Sequence, residues 1–447
     1  MVFVLEGIRQ MDNYYDGRLR SGTLYYYADV AARALISRLL LKDPVDEGAL
    51  KRAYEETIRR HPYITKGLRE ENGCFYLVDN HNPMPLLQTE ENLVLGGERA
   101  GGHLYGITWH DRRINLYFYH GLIDGMAAQR VMETLLYYYC SLKNNKSYDP
   151  EGIWINDGTS YEGCDSEPFE KEYEIGDESA AEDVAEKQDT CFHFSELDAG
   201  WDRNEHTGFE IHASADEFMR LVKSEGLTPT SAAAVLLSQA VMRLYPENTK
   251  PIKTAMPVNI RQAIGMKNTH KNATLDIGLY FDPVRMQGKT LAEQGRILRE
   301  QLRRQTNPEY LKSMANSTID WLKKFEQAGS YEGCLETFRG MPRSFVDTFF
   351  LSYVGRLHLP GYEDEVQEIS LVSHSRNSII IDMTEMGGQF IFGFRQCVPS
   401  PFFADAFTEV LTENGIRAVR SEGVAYTLPY VEFRETMGLK ERGGSDE

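Results

Sequence analysis

One stretch divides this sequence. From Glu162 to Asp189 there are twelve acidic residues and only Lys171 and Lys187 to oppose them, ten of the nineteen net negative charges on 447 residues. Apolar spacing is poor there and Gly, Ser and Pro interrupt it, the pattern of a solvated crossover rather than a packed element. Strand and helix patterns alternate on both sides, so the chain is expected to fold as two α/β halves of similar size. The expected organisation is an N-terminal unit over 1–160, a linker over 161–190 and a C-terminal unit over 191–447.

In the first half, Ala31 to Leu41 reads as a strand and Asp46 to Arg60 as a helix. In the helix Leu50, Ala53, Tyr54 and Ile58 recur at helical spacing, and Pro62 closes it. Strands are expected near Cys74–Val78 and His103–Trp109. A turn at His110–Arg113 then leads into a strand Ile114–Tyr119. Val131, Leu135 and Tyr139 mark one face of a helix from about Met126 to Leu142. In the second half, Thr228 and Pro229 open a largely apolar helix to Leu244, and Thr290 with Glu293 forms a capping box. Strands are expected at Ile252–Val258, Phe349–Val354, Ser378–Met383 and Phe390–Phe394, with a frayed tail over Glu441–Glu447. The string YEGC at Tyr161 and Tyr331 has no repeating surroundings and reads as coincidence.

The charge balance argues against nucleic acid, whose binding needs a basic footprint, and against docking on anionic lipid. No run of about 20 apolar residues occurs, so no membrane span is expected. MVFVLEGIRQ lacks a basic n-region, and the six cysteines form no CxxC pair, which together lead us to expect a cytoplasmic protein with reduced thiols. His61, His103 and His110 have no partners at ligand spacing, so no metal is expected.

The sharpest motif is His120-Gly121-Leu122-Ile123-Asp124-Gly125, set between an apolar strand and a helix. A histidine at a strand end presents an imidazole where a cleft can form, and a nearby carboxylate can hold the loop that carries it. From the residues alone, a helix-capping Asp124 beside an ordinary edge histidine explains the motif as well. Asn259 and Arg261 alone read equally as a strand-end turn with a surface arginine.

In this setting HGLIDG resembles the active-site motif of the condensation-domain and alcohol acetyltransferase-like superfamily. Further segments are similar to it in the same order. They are Leu41–Ile64 ending in Arg60-His61-Pro62, Gly226–Leu244, Met256–Gly265 with Asn259 and Arg261, and Leu351–Pro360 with Ser352. Two positions depart from the pattern: Tyr119 stands where peptide-synthetase condensation domains usually carry a first histidine, and Tyr353 where the family often has Asn. The first favours a stand-alone acyltransferase.

The resemblance implies two chloramphenicol-acetyltransferase-like α/β sandwich domains with an active-site tunnel between them. It implies transfer of an acyl group from acyl-CoA or an acyl carrier protein to an alcohol or amine, as in an alcohol O-acetyltransferase. Acyl-CoA would be a co-substrate, and no permanently bound cofactor is expected. His120 would act as general base, and the Gly125 N–H would help at the oxyanion. Asp124 would be structural, paired with Arg261 or, second, Arg60. Asn259 and Ser352 would support the site, and a monomer is expected. The alternatives are a non-catalytic member that holds an acyl chain or carrier protein, and a free-standing peptide-synthetase-type condensation protein.

Overall fold

The computed structural model describes residues 18–23, 34–181, 191–198, 205–339, 347–373, 379–428 and 431–432. Two sheets dominate. The first is built from β1 (Ala34–Leu41), β4 (Leu86–Gln88), β5 (Tyr105–His110), β6 (Arg113–Tyr119) and β11 (Val366–Val372), in the order β11-β1-β6-β5-β4. The alternation of buried and half-buried residues along ALISRLLL gives β1 one core face, and its register against β6 pairs Leu35 with Phe118. A hairpin of β2 (Gly67–Glu71) and β3 (Cys74–Val78) stands apart.

The second sheet has eight strands: β7 (His206–Ser214), β8 (Ile252–Asn259), β9 (Thr274–Phe281), β10 (Phe349–Arg356), β12 (Ile379–Met386), β13 (Gln389–Gln396), β14 (Ala418–Arg420) and β15 (Val424–Tyr426). The order is β14-β7-β13-β12-β10-β8-β9, with β15 also on β7. β10 runs parallel to both β8 and β12, and the remaining pairs in this sheet are antiparallel.

Helices form where the capping chemistry predicts. α1 (Glu47–Arg60) starts at Asp46, whose side chain accepts from the Ala49 N–H, and α2 (Gly125–Lys143) starts at Asp124 in the same way. α3 (Ala215–Ser224) is capped by Ser214, and α4 (Pro229–Leu244) has a Thr228/Ser231 capping box. α5 (Leu291–Gln305) has the expected Thr290/Glu293 box. Asn307 caps α6 (Pro308–Ala328), and α7 (Tyr331–Arg339) and α8 (Phe402–Glu413) follow. α1 and α2 share one core with the first sheet, where Leu50, Val131, Leu135, Ile36 and Leu116 are buried together. α4 and α8 cover the second sheet, with Val235, Leu236 and Phe407 fully buried; each such side chain contributes about 1.5–3 kcal/mol.

Two features depart from the sequence reading. β11, more than 300 residues along the chain, is the edge strand of the first sheet, pairing Ile369 with Leu39 and Leu371 with Ser37. The acidic segment is also not wholly solvated. Glu167 and Phe169 are buried, and Phe169 packs with Ile260, Leu311 and Ile319 in a third small core. One acid in that run was therefore spent on the interior, where it meets a lysine. Residues 182–190 of the segment and the tail over 441–447 lie outside the described residues.

Candidate active site

The strand β6 ends at Tyr119, and the next five residues form the loop that carries His120. Three groups hold this loop. Leu122 and Ile123 are fully buried, the Tyr63 hydroxyl donates to the Leu122 carbonyl at 2.8 Å, and the Asp124 carboxylate is locked from beneath. Gly121 is required for close packing rather than for its φ, since a Cβ there would meet the Tyr119 ring at 2.5 Å. Gly22 lies directly against the Gly121 backbone, with no room for a side chain between them.

Asp124 makes both of the contacts considered above. Its Oδ1 accepts from the Ala127 N–H at 3.0 Å, capping α2, and from Arg261 Nη2 at 2.9 Å. Its Oδ2 accepts from Arg261 Nη1 at 2.7 Å and the Ala273 N–H at 3.1 Å. Arg261 spends its remaining donors on the carbonyls of Thr269 and Lys271, both at 2.9 Å, and on Asn259 Oδ1 at 3.2 Å. All five guanidinium N–H groups are thereby used. Both side chains are almost fully buried, so the pair is satisfied rather than exposed to reaction. Arg60, the second choice as partner, instead stacks over Tyr161 at 4.0 Å.

A second buried pair lies against the first. Lys271 Nζ is 3.2 Å from Glu167, whose Oε1 accepts from the Ser21 N–H at 2.8 Å. Nearby, His61 Nδ1 and His270 Nε2 are 2.9 Å apart and His61 Nε2 is 2.9 Å from Thr134 Oγ1. Burial pushes His270 down to about 4 and lowers His61 well below the usual histidine range.

His120 itself opens onto a cavity of about 460 Å³ between the two sheets. Leu35, Ser37 and Phe118 line it from the first sheet, and Gly125, Met126 and Gln129 from the start of α2. Pro257, Asn259, Asp276, Ser352, Tyr353 and Asp382 line it from the second. Of the predicted residues, His120, Gly125, Asn259 and Ser352 therefore face one space, while Asp124 and Arg261 sit behind the wall. Burial lowers the His120 pKa, and a hydrogen bond to its own main-chain carbonyl only partly opposes this. The ring is thus neutral at pH 7, with one nitrogen donating and the other carrying a lone pair. Asn272 Nδ2 lies 3.5 Å from Nδ1. The first turn of α2 presents N–H groups without intrahelical partners, that of Gly125 among them.

Sequence reasoning missed Gly22, Tyr63, Asp276 and Asp382. The glycine and the tyrosine stand outside the motif, and the two acids sit in strands (β9 and β12) whose cavity face becomes visible only once the sheets are stacked.

Two sheets of mixed α/β architecture meeting at a shared cavity define the two-domain fold of condensation domains and CoA-dependent acyltransferases. Solved structures with this fold include the epimerization domain from the third module of tyrocidine synthetase B, with 13% identity, 87% of this chain and 92% of that one covered, and a TM-score of 0.58. F. sporotrichioides TRI101 complexed with coenzyme A and T-2 aligns at 11% identity over 91% of this chain and all of that one, with a TM-score of 0.57. Polyketide synthase associated protein 5 from Mycobacterium tuberculosis aligns at 14% identity over 88% and 96%, with a TM-score of 0.55. No family model matches the chain, and no curated protein matches it.

Proposed function

We propose that this chain is an acyltransferase that moves an acyl group from a thioester, acyl-CoA or an acyl carrier protein, to an alcohol or amine. The observation that carries the reading is a neutral, half-buried His120 on a cavity walled by both sheets, on a loop anchored by Asp124 and Arg261. The crystallised complexes of a protein of the same fold with coenzyme A support a CoA thioester as donor.

The step balances as follows. The acceptor oxygen or nitrogen forms a bond to the thioester carbon as the lone-pair nitrogen of His120 takes its proton. The tetrahedral oxyanion collapses, the C–S bond breaks, and the proton passes from His120 to the leaving thiolate. Such base assistance is worth roughly 10²–10⁴-fold in rate. The Gly125 N–H, at the positive end of α2, suits the oxyanion. Asn259 and Ser352 supply polar contacts to the acceptor. His120→Ala is expected to lower release of free thiol from acetyl- and longer acyl-CoAs by that factor, against a panel of alcohols and amines. Undiminished thiol release in the variant overturns the base role. Binding of the thioester with no thiol release in the parent would instead favour the non-catalytic reading, for which Tyr353 in the cavity wall is the motivating departure.

A further inference from the structure

The cavity wall on the second sheet carries two carboxyl groups that the chemistry above does not use. Asp276 pairs with Pro257 across β9 and β8, and Asp382 pairs with Ser352 across β12 and β10. β10 and β8 run parallel with Phe350 opposite Ala255, so Ser352 falls level with Pro257 two residues on. Asp382, Ser352, Pro257 and Asp276 therefore form one row on the cavity face, and all four line the cavity. Three strand spacings separate the two acids, about 14 Å. Asp276 also lies four residues along the chain from Asn272, whose Nδ2 is 3.5 Å from His120 Nδ1, a reach of at most about 13 Å.

No Lys or Arg is among the described residues lining this space. The cation that acts on Asp276 is Lys253, and it is bound to Asp347 at 2.6 Å, which leaves that trio with net negative charge. Asp382 accepts from Ser373 Oγ at 3.2 Å. The guanidinium beside it, Arg395, is engaged by Glu210 at 3.0 Å and by the Leu371 carbonyl at 2.9 Å. The acids thus face the cavity without a cation of their own. Desolvation pushes the buried Asp382 up to about 7, whereas Asp276 is exposed on β9 and is raised by partial desolvation, with Asp347 adding to it. A positive group placed in the cavity would restore their charge.

We infer that the acceptor is an amine with more than one nitrogen, the nitrogen being acylated standing neutral at His120 while a distant ammonium is held by Asp276 or Asp382. This rests on the acyl-transfer reading and narrows it. The neutral nitrogen forms the C–N bond, the C–S bond breaks, and the proton lost from nitrogen passes through His120 to the thiolate. The distant ammonium keeps its protons throughout and only positions the molecule. Its spacing from the reacting nitrogen is on the order of 10 Å, the reach set by the strand.

The test needs no donor. Binding of 1,8-diaminooctane, 1,3-diaminopropane and the uncharged 1,8-octanediol is measured by calorimetry at pH 6.5 in buffers of different ionisation enthalpy. The long diamine is expected to bind at least tenfold tighter than the diol and more tightly than the short diamine. It is also expected to release protons, about one from the nitrogen that sits neutral at His120 and a further fraction from the carboxyl group that ionises beside the remaining ammonium. One of the two variants Asp276→Asn and Asp382→Asn is expected to weaken diamine binding about tenfold and to reduce the proton release. Equal binding of diamine and diol, binding without proton release, or a diamine affinity unchanged in both Asp276→Asn and Asp382→Asn overturns the inference. Acyl transfer is read separately, as thiol release with simple alcohols and monoamines, so failure of either proposal leaves the other visible.

Discussion

At the scale of single residues, the site depends on groups that never touch substrate. Asp124 and Arg261 form a buried ion pair in which every donor and acceptor is used. Removing one member leaves an uncompensated buried charge, which costs about 3–5 kcal/mol. Asp124→Asn is therefore expected to lower the unfolding free energy measured in urea by that much and to slow acyl transfer together with it. Arg261→Lys should not rescue, because an ammonium cannot reach two carboxylate oxygens and three further acceptors from one plane. Gly22 acts differently: a Cβ there would meet the Gly121 backbone. Gly22→Ala is expected to shift the His120 loop and lower kcat while the unfolding midpoint changes far less than in Asp124→Asn. The pH dependence follows from His120. Its folded pKa lies below the usual histidine value, so the base is already deprotonated at pH 7. The rate with a neutral acceptor should be flat through neutrality and fall only below the ordinary histidine range. A rate still climbing between pH 7 and 8 with an alcohol acceptor would count against this assignment.

At the scale of elements, local chemistry made much of the fold readable. Asp46, Thr228 with Pro229, and the Thr290/Glu293 box each mark a helix start found in the structure. The strand expected at Ile252–Val258 is observed over Ile252–Asn259. The long helix α6 and the strand β7 were not anticipated, although Asn307-Pro308 is a legible helix start. β11 was hidden for a physical reason. Its burial alternates only weakly, and its partner lies more than 300 residues upstream, so no local spacing reports the pairing. The site was legible to the same degree: His120 and Asp124 stand in one short motif and Arg261 in a second. Asp276 and Asp382 have no local pattern, because their shared row exists only across four strands. β11 also carries a prediction. Proline at Ser370, which lies opposite Arg38, cannot donate to a ladder and fixes its own φ, so it is expected to weaken the pairing of β11 with β1. Circular dichroism of Ser370→Pro is expected to show loss of stability without loss of the second sheet's core.

At the scale of the whole molecule, the halves are joined by more than the acidic crossover. The edge strand of the first sheet comes from the second half, and Asp124 to Arg261, Glu167 to Lys271 and His61 to His270 all bridge distant parts of the chain. The histidine pair makes this junction sensitive to acid. His270 titrates near 4 in the folded protein and near 6.5 unfolded, and His61 is lowered in the same sense. The unfolded chain therefore binds more protons below about pH 6.5, so the stability these groups supply is complete above that value. It is lost progressively as pH falls toward about 4. Thermal melts should show this loss, and His270→Asn should flatten it. An unchanged slope in the variant would assign the acid sensitivity to carboxylates alone.

The placement of β11 also has a consequence during synthesis. β1 and β6 can pair as soon as they emerge, yet the outer edge of β1 finds its partner only after roughly 250 further residues, about 10–50 s at 5–20 residues per second. For that interval a buried-to-be strand offers its free N–H and C=O groups to any other chain nearby. The nascent first half is thus a natural client for a holding chaperone, and slow translation between the two halves lengthens its exposure rather than helping it fold.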